Sequence, residues 1–266
     1  MAYVEDIYKF PDSIEHEYKY AGNYGAKGEK RHKRQKATPE QIKKQNQRNK
    51  EKYVRRLLKL NFRLGDYWVT LLYPAGTRKS IEEVRADIKK LDDDLRYRYR
   101  VWWKSQYKYI KRIEIGANGG IHCHMIVNQV KGFDVEMEIQ KLWNEITGGR
   151  AHFERYHGNE ESSHKVADYL VKPLTDNQVK RLEEHENITE HDLVKYMPSR
   201  NLIKPVRERK YFKRRTLRAL LEAEEPKATS GYYIDKSSIV SGVNEYTGLS
   251  YLYYTEIKID SGGGKT

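Results

Sequence analysis

The chain has 266 residues and a formal net charge of +13, with 38% hydrophobic and 33% charged residues. This length allows one medium catalytic domain with appendages or two small domains, and no apolar run approaches the ~18 residues that cross a membrane. The single cysteine, Cys123, excludes a disulfide framework and a thiolate-rich zinc cluster, and it is typical of the reducing cytoplasm.

The positive charge is concentrated between Lys27 and Lys59, which contain fourteen lysines and arginines and only three glutamates, a net charge of +11. Dense positive charge attracts phosphate backbones whatever their base sequence. Nucleic acid is therefore favoured as the partner over two alternatives, a solvated helix and a tail bound to anionic lipid. The DNA-binding candidates of this segment are Arg31, Lys33, Arg34, Lys43, Lys44, Arg48, Arg55 and Arg56.

Capping residues and hydrophobic periodicity predict helices and strands along most of the chain. Residues 1–37 show no periodicity and are expected to form a mobile arm, and residues 175–200 are polar and uninformative. The predicted helices start at the capping box of Thr38 and Gln41, at the capping box of Ser80 and Glu83, at Asp134, at Ser162 or Ser163, and at Arg207. The predicted strands span 66–73, 107–115, 121–128 and 151–156, with two or three tyrosine-rich strands in 232–259. Hairpins with helices between them predict an α+β domain around an antiparallel sheet.

Glu114, His122 and His124 are predicted to share one face of a β-hairpin. Side chains alternate along a strand, so the two histidines point to the same face and Cys123 points to the other. If residues 115 and 121 flank the glycine-rich turn as partners, Glu114 lies directly across from His122. Two imidazoles and one carboxylate then form a candidate metal site. A shift of one residue in the register would send Glu114 to the wrong face.

Other interpretations of these residues remain open at this point. The histidine pair is also compatible with surface positions or with a core histidine bonded to a carbonyl. Glu114 is alternatively a surface carboxylate paired with Arg112. If Glu114 is not a ligand, His152 and His164 are the next candidates.

Lys165, Tyr169 and Lys172 form a second group, since they fall within about 60° of one another on a helix. Nearby ammonium groups favour the phenolate over the phenol, whose reference pKa is ~10. They would also hold a phosphate for Tyr169 to attack, and Lys165 is a further DNA-binding candidate. The alternative is an exposed amphipathic helix on which lysine and tyrosine cover the surface.

Together these residues resemble the HUH endonucleases, a superfamily of rolling-circle replication initiators, conjugative relaxases and single-tyrosine transposases. The metal motif of that superfamily is a pair of histidines around one hydrophobic residue, which His122 and His124 around Cys123 match. Its initiators add a carboxylate on the neighbouring strand, and Glu114 matches it.

The nucleophile motif of the superfamily is Tyr-x-x-Lys, and the helical match is Tyr169 with Lys172. Tyr24 and Tyr233 also match this motif by letter, but neither is expected on a helix. The segment 196–205 (YMPSRNLIKP) is similar to the sequence that follows the catalytic helix in initiators of Gram-positive bacterial mobile elements. The resemblance covers about residues 38–259.

The resemblance implies an α+β fold with a central five-stranded antiparallel sheet flanked by helices. The expected organisation is a basic N-terminal arm and helix in 1–62, an HUH endonuclease domain in 63–225, and tyrosine-rich strands with a disordered tail in 226–266. The implied cofactor is Mg²⁺ or Mn²⁺, held by the histidine pair and Glu114. Tyr169 would form a 5′-phosphotyrosine, with Lys172 neutralising charge. The implied partners are single-stranded DNA at an origin-like site, in a hairpin, and a host helicase.

Three functions stay open. The leading one is a replication initiator, and a relaxase or a transposase uses the same chemistry. The alternative of a different class is a DNA-binding regulator that has this fold but does not cleave, because fold alone does not determine function. A covalent adduct with an oligonucleotide separates this regulator from the enzymes.

Overall fold

The computed structural model describes residues 3–22, 33, 36–116, 119–183, 188–212, 218–221 and 226–259. They form a mixed α+β fold with two five-stranded antiparallel sheets. The chain divides into two compact units, one of Gln45–Lys204 and one of Met1–Lys44 with Pro205–Thr266. The boundaries predicted at residues 62 and 225 do not coincide with this division.

The strands are β1 Tyr3–Lys9, β2 Ser13–Tyr20, β3 Tyr67–Leu72, β4 Tyr109–Ile115, β5 Ile121–Val127, β6 Arg150–Arg155, β7 Tyr196–Pro198, β8 Glu208–Phe212, β9 Tyr232–Asn244 and β10 Leu249–Lys258. The helices are α1 Pro39–Asn61, α2 Ile81–Tyr97, α3 Val135–Thr147, α4 Glu160–Val171, α5 Asp176–Leu182, α6 Glu190–Val194 and α7 Arg218–Leu221, with a π-helical turn Arg98–Trp102 after α2. Among the described helices, none has both the length and the apolar character that crossing a bilayer requires.

The central sheet of the unit Gln45–Lys204 has the strand order β6-β3-β5-β4-β7. Because side chains alternate along its strands, each face receives its own helices. Val69 of β3 packs with α2 and α3 in one core. Ile126 of β5 packs with α1 and α4 in the other. The five-stranded antiparallel sheet that the resemblance implied is therefore present, with helices on both faces.

The predicted helix caps are confirmed at three of the four capped helices. Thr38 and Gln41 exchange hydrogen bonds of 2.9 and 3.3 Å at the start of α1, Ser80 forms its capping box at α2, and Asp134 caps α3. The prediction of Ser162 or Ser163 as the cap of α4 is wrong. Asn159 accepts the capping hydrogen bond at 2.8 Å. The helix begins earlier because Asn is a strong N-cap and two glutamates follow in the first turn.

The mobile arm predicted for residues 1–37 is wrong for residues 3–20. Strands β1 and β2 pair along their whole length and join a second sheet in the order β8-β1-β2-β10-β9. Many buried positions of β1 and β2 carry polar side chains. The sequence therefore lacks the alternation of hydrophobic and polar residues by which strands are predicted. His16 Nδ1 lies 2.7 Å from Glu5 Oε1, and the Tyr18 hydroxyl donates to the same oxygen at 2.8 Å.

The basic helix predicted over 207–224 is wrong for residues 208–212. Residues 208–212 form β8, which pairs with β1, and the described helix of this region is only Arg218–Leu221. Arg209 donates two hydrogen bonds to the buried carboxylate of Asp6, at 2.5 and 2.8 Å. This long-range pair and the strand pairing override the local helical pattern. The tyrosine-rich segment 232–259 forms two strands, as predicted.

The polar stretch 175–200 contains α5, α6 and β7, which the sequence did not predict. β7 pairs with β4 and completes the central sheet at its edge. The tail predicted after the last strand falls on residues 260–266, outside the described residues.

Gly149 marks a point where the backbone approaches a neighbouring strand too closely for any side chain. The indole of Trp143 donates to the carbonyl of Leu72 at 2.9 Å, and Gly149 lies against this hydrogen bond. A Cβ at Gly149 would lie 2.2 Å from the Leu72 oxygen and 2.7 Å from the indole nitrogen.

Replacing Gly149 by alanine is therefore expected to lower the free energy of unfolding by about 2–3 kcal/mol, because β3 and α3 must separate to admit the methyl group. Urea denaturation followed by circular dichroism measures the change. Gly120→Ala is the matched control, since a Cβ there meets nothing within 4 Å, and its effect should stay within about 0.5 kcal/mol. Equal unfolding midpoints for the two variants would contradict the close approach.

Candidate metal centre and its tyrosine

The hairpin register predicted from the turn is confirmed. Ile115 pairs with Ile121, and Glu114 pairs with His122 across β4 and β5. Glu114 Oε2 lies 3.1 Å from His124 Nε2 and 3.7 Å from His122 Nε2. One ligand atom from each residue lies within 4.8 Å of the others, so these three side chains, here called the triad, could hold a metal ion.

The hydroxyl of Tyr169 lies directly on the triad. It donates to Glu114 Oε2 at 2.5 Å and lies 2.7 Å from His124 Nε2. Helix α4 presents Tyr169 from one face while its apolar residues pack against the sheet on the other. A helix and a hairpin that are distant in sequence therefore bring a tyrosine and the predicted ligands into one site.

The second oxygen of Glu114 is held by two further side chains. Lys172 Nζ lies 3.0 Å from Glu114 Oε1 and 3.6 Å from the centroid of the Tyr169 ring. Gln178 Nε2 donates to Glu114 Oε1 at 2.5 Å and to the carbonyl of Ile115 at 3.1 Å. Lys172 therefore lies beside both Glu114 and Tyr169.

Gln178 was missed because it lies in the polar stretch that seemed uninformative. A local signal was nevertheless present, since Thr175 and Gln178 have the spacing of a capping box. The side-chain oxygen of Gln178 accepts from the backbone nitrogen of Thr175 at 3.0 Å. Its amide nitrogen is thereby directed towards Glu114.

Arg112 connects the sheet to the end of the tyrosine helix. Its guanidinium is fully buried and donates to three backbone carbonyls, those of Leu193 at 2.8 Å, Tyr169 at 3.1 Å and Lys172 at 2.7 Å. The last carbonyls of a helix lack partners within the helix and carry partial negative charge. The alternative interpretation of Glu114 as a surface carboxylate paired with Arg112 is therefore wrong. Arg112 instead donates to carbonyls at the end of α4.

Trp68 and Thr70 of β3 fix the orientation of His124. Thr70 Oγ1 lies 3.0 Å from His124 Nδ1, and the Trp68 ring stacks on the imidazole with a centroid distance of 5.6 Å. Hydrogen bonding at one ring nitrogen determines which nitrogen is left for a ligand. The Nε2 atom of His124 thus faces Glu114 and Tyr169.

The charges of the site shift its pKa values in a definite pattern. Burial acts to raise the pKa of Glu114, but hydrogen bonds from the two histidines, Tyr169 and Lys172 outweigh it and hold that pKa well below its usual range. Burial lowers the pKa of His124 against the opposing effect of Glu114. The carboxylate is therefore ionised, as a metal ligand must be.

Burial, reinforced by Glu114, raises the pKa of Tyr169 above its ordinary value. The expectation that flanking lysines favour the phenolate is therefore wrong. Lys172 is paired with Glu114, and Lys165 lies on the exposed side of α4, 2.8 Å from Glu161. The Tyr169 hydroxyl is consequently a phenol at neutral pH.

The predicted DNA-binding residues are placed very differently from one another. Arg31 and Arg34 lie outside the described residues. Arg56 is buried, and Arg55 is half-buried beside His164. The exposed members of the predicted set are Lys33, Lys43, Lys44 and Arg48, with Lys165 on α4.

His152 and His164, the alternative candidates for the third metal ligand, are not part of this centre. His152 is exposed and lies 3.7 Å from Glu154, and His164 lies 3.2 Å from Glu51. Over the described part of the chain, the triad is the group of three side chains that could bind a metal. Two imidazoles and one carboxylate suit a divalent cation.

Residues 66–178 match a family model of replication-associated proteins, that of the replication-associated protein ORF2. The match covers less than half of the 266 residues, but it includes the triad and Tyr169, Lys172 and Gln178. It supports a rolling-circle replication initiator-type protein, with involvement in replication initiation. No curated protein and no solved structure shows significant similarity to this chain.

Removing the charge of Glu114 tests the metal centre without any assay of activity. Glu114→Gln keeps the shape but removes the one anionic ligand, so Mn²⁺ affinity should fall by at least the ~10–100-fold that loss of an outer-shell partner causes. Titration followed by electron paramagnetic resonance of free Mn²⁺ measures this affinity. Glu154→Gln removes an equal charge from an exposed position of the same sheet and should bind as the wild type does. Superimposable curves for all three proteins would mean that Glu114 is not a ligand.

Proposed function

We propose that this chain is a metal-dependent endonuclease that nicks single-stranded DNA at a replication origin, with Tyr169 as the nucleophile. The observation that carries the proposal is the position of the Tyr169 hydroxyl, 2.5 Å from Glu114 Oε2 and 2.7 Å from His124 Nε2. A nucleophile and three potential metal ligands therefore share one site. The match to a replication-associated family supports the biological setting.

The triad residues Glu114, His122 and His124 would hold the divalent cation, either Mg²⁺ or Mn²⁺. When bound, such a cation supplies a Lewis acid that polarises a phosphate oxygen. Imidazole and carboxylate ligands together with a phosphate oxygen suit these metals.

In the reaction, Tyr169 Oη forms a bond to phosphorus while the bond from phosphorus to the 3′ oxygen breaks. The products are a 5′-phosphotyrosine and a strand end whose 3′ oxygen takes a proton from water. Burial and Glu114 raise the pKa of Tyr169, which favours loss of its proton to water as the bond to phosphorus forms. Glu114 Oε2 orients the hydroxyl by accepting its hydrogen bond, and Glu114 would stay ionised as a metal ligand.

Lys172 supplies the positive charge beside the reacting oxygen. Its side chain is 27% exposed, so the ammonium faces solvent as well as Glu114. A charge-assisted hydrogen bond to a non-bridging oxygen would hold the phosphate over the Tyr169 ring. Arg112 contributes by position, because it holds the carbonyls of residues 169 and 172 in place.

The covalent intermediate also provides the joining step. A phosphotyrosine retains the energy of the phosphodiester bond, so attack by a 3′ hydroxyl reverses the reaction and releases Tyr169. An initiator uses the first 3′ hydroxyl as a primer. An origin-like hairpin as the DNA and a host helicase as the partner belong to this proposal.

The exposed cations of α1 form the proposed general DNA-binding surface, here called the α1 surface and defined by Lys43, Lys44 and Arg48. All three side chains are exposed. Such a surface binds phosphates irrespective of sequence and increases the local concentration of DNA.

Replacing Tyr169 by phenylalanine should abolish the covalent adduct, because only the hydroxyl oxygen can bond to phosphorus. Denaturing electrophoresis of the protein incubated with Mn²⁺ and a 3′-labelled single strand of its own element measures the adduct. DNA affinity should stay within about twofold of the wild type, since the ring and its packing remain.

Tyr233→Phe is the matched control, because this exposed tyrosine of β9 also precedes a lysine by three positions. It should form adduct at the wild-type rate. An adduct that mass spectrometry maps to Tyr233 would refute the assignment of Tyr169. Binding without any adduct in the wild-type protein would favour the non-cleaving regulator.

Replacing all three residues of the α1 surface by alanine should weaken binding to any single strand and reduce the slope of log affinity against log salt by ~0.7 for each lost phosphate contact. Fluorescence anisotropy at several salt concentrations measures both. Point substitutions are needed because deletion of residues 1–60 would also remove β1 and β2 from the second sheet.

The charge-matched control replaces Lys89, Lys90 and Lys141, which are exposed on α2 and α3. Its salt slope should equal that of the wild type. Nicking of a saturating oligonucleotide should persist in both triple variants, since neither changes the triad or Tyr169. An unchanged slope in the α1 variant would exclude this surface from DNA binding.

A further inference from the structure

A second concave surface lies on the face of the central sheet opposite the triad. It is a cleft of about 640 Å³ lined by Tyr107 and Tyr109, by Arg96 and Arg100, and by residues 198–201. Tyr107 and Tyr109 pack with the core between the sheet and the helices α2 and α3. The triad lies on the other face, so the cleft is separate from the candidate metal centre.

The π-helical turn Arg98–Trp102 contributes Arg100 to the lining of the cleft. Residues 96–103 read RYRYRVWW, in which arginines alternate with aromatic residues. Tyr99 and Trp103 are buried and anchor the turn, and the backbone nitrogen of Trp103 donates to the carbonyl of Arg98 at 3.0 Å. Their burial leaves Arg100 and Trp102 exposed. Single π-helical turns occur often at functional sites.

The cleft carries positive charge without compensation. Among the described residues, no carboxylate pairs with Arg100 or Arg200, and both side chains are exposed. Arg96, by contrast, is paired with Asp93 at 2.7 Å. The planar fork of arginine matches the oxygens of a phosphate.

An exposed aromatic surface adjoins these charges. Trp102 is 53% exposed and Tyr97 is 52% exposed, and their rings meet edge to face at 6.2 Å. Arg98 lies over the Trp102 ring at 4.5 Å. Aromatic rings beside a cationic groove are the means by which proteins bind unpaired bases. Arg98 is itself paired with Glu138 at 2.8 Å, so within the described chain the free guanidinium of this turn is that of Arg100, two residues before Trp102.

We propose that this cleft and the exposed turn beside it form a second site for single-stranded DNA, in which Arg100 and Arg200 bind phosphates and Trp102 stacks on a base. The choice of DNA as the ligand rests on the proposed function. Because the cleft lies across the sheet from Tyr169, it holds a part of the strand other than the scissile phosphate. Gln106 lines the same cleft and offers its exposed side-chain amide to a base edge. A free nucleotide shares this chemistry but spans only one phosphate-and-base unit.

The test is a titration of tryptophan fluorescence with unlabelled oligothymidylate, without metal, in a Tyr169→Phe background that cannot cleave. Stacking on Trp102 should quench the fluorescence, and Trp102→Phe should remove most of the quenching. Arg100→Ala combined with Arg200→Ala should weaken binding about tenfold and reduce the salt slope by ~1.4, which corresponds to two phosphate contacts.

Lys90→Ala combined with Lys141→Ala is the matched control, because it removes the same charge from exposed positions of α2 and α3. It should bind within about twofold of the parent. Equal affinity for the arginine variant and this control, with quenching retained in Trp102→Phe, would overturn the proposal. Saturation by thymidine monophosphate with the affinity of the oligonucleotide would overturn the assignment to a strand.

The nicking assay separates this proposal from the proposed function. Loss of nicking in the wild type, with quenching through Trp102 intact, would refute the nuclease and leave the cleft as a binding site. Normal nicking with no effect of the cleft substitutions on binding would refute the cleft alone.

Discussion

A buried carboxylate is costly unless hydrogen bonds and counter-charges compensate it, and Glu114 obtains both from separate segments of the chain. One oxygen faces His124 and Tyr169, and the other faces Lys172 and Gln178. The carboxylate of Glu114 therefore binds α4, the residue at its end and α5 to the hairpin of β4 and β5. A metal bound there would compete for the atoms that now hold the Tyr169 hydroxyl, so metal affinity and the position of the nucleophile are physically coupled.

Strand β4 also carries the buried guanidinium of Arg112, two residues before Glu114. Arg112 and Glu114 share a face, but Arg112 directs its donors to the carbonyls at the end of α4 rather than to Glu114. The carboxylate thus binds the side chain of Tyr169 while the guanidinium binds its backbone. Two independent anchors on one strand therefore hold the side chain and the backbone of Tyr169, which is the rigidity that the proposed in-line displacement needs.

The central sheet separates two kinds of surface. The face packed by α1 and α4 carries the triad, and the face packed by α2 and α3 carries the arginine-lined cleft. In the proposed function, the scissile phosphate would bind at the triad on one face, and another part of the same DNA strand would bind in the cleft on the other face. The π-helical turn contributes Arg100 to the cleft, while Tyr99 and Trp103 on its other side are buried.

The sequence by itself determined the triad, because strand alternation and a five-residue turn fix which residues face each other over a short distance. It also determined the starts of α1, α2 and α3, which depend on caps a few residues apart. Only the tertiary structure decided the second sheet, where Glu5 and His16 are buried at positions that a hydrophobic pattern assigns to solvent. It likewise decided the roles of Arg112 and Gln178, whose partners lie about sixty residues away in the chain. Local periodicity carries no information about such contacts, since they form only when packed elements bring distant backbone and side-chain groups together.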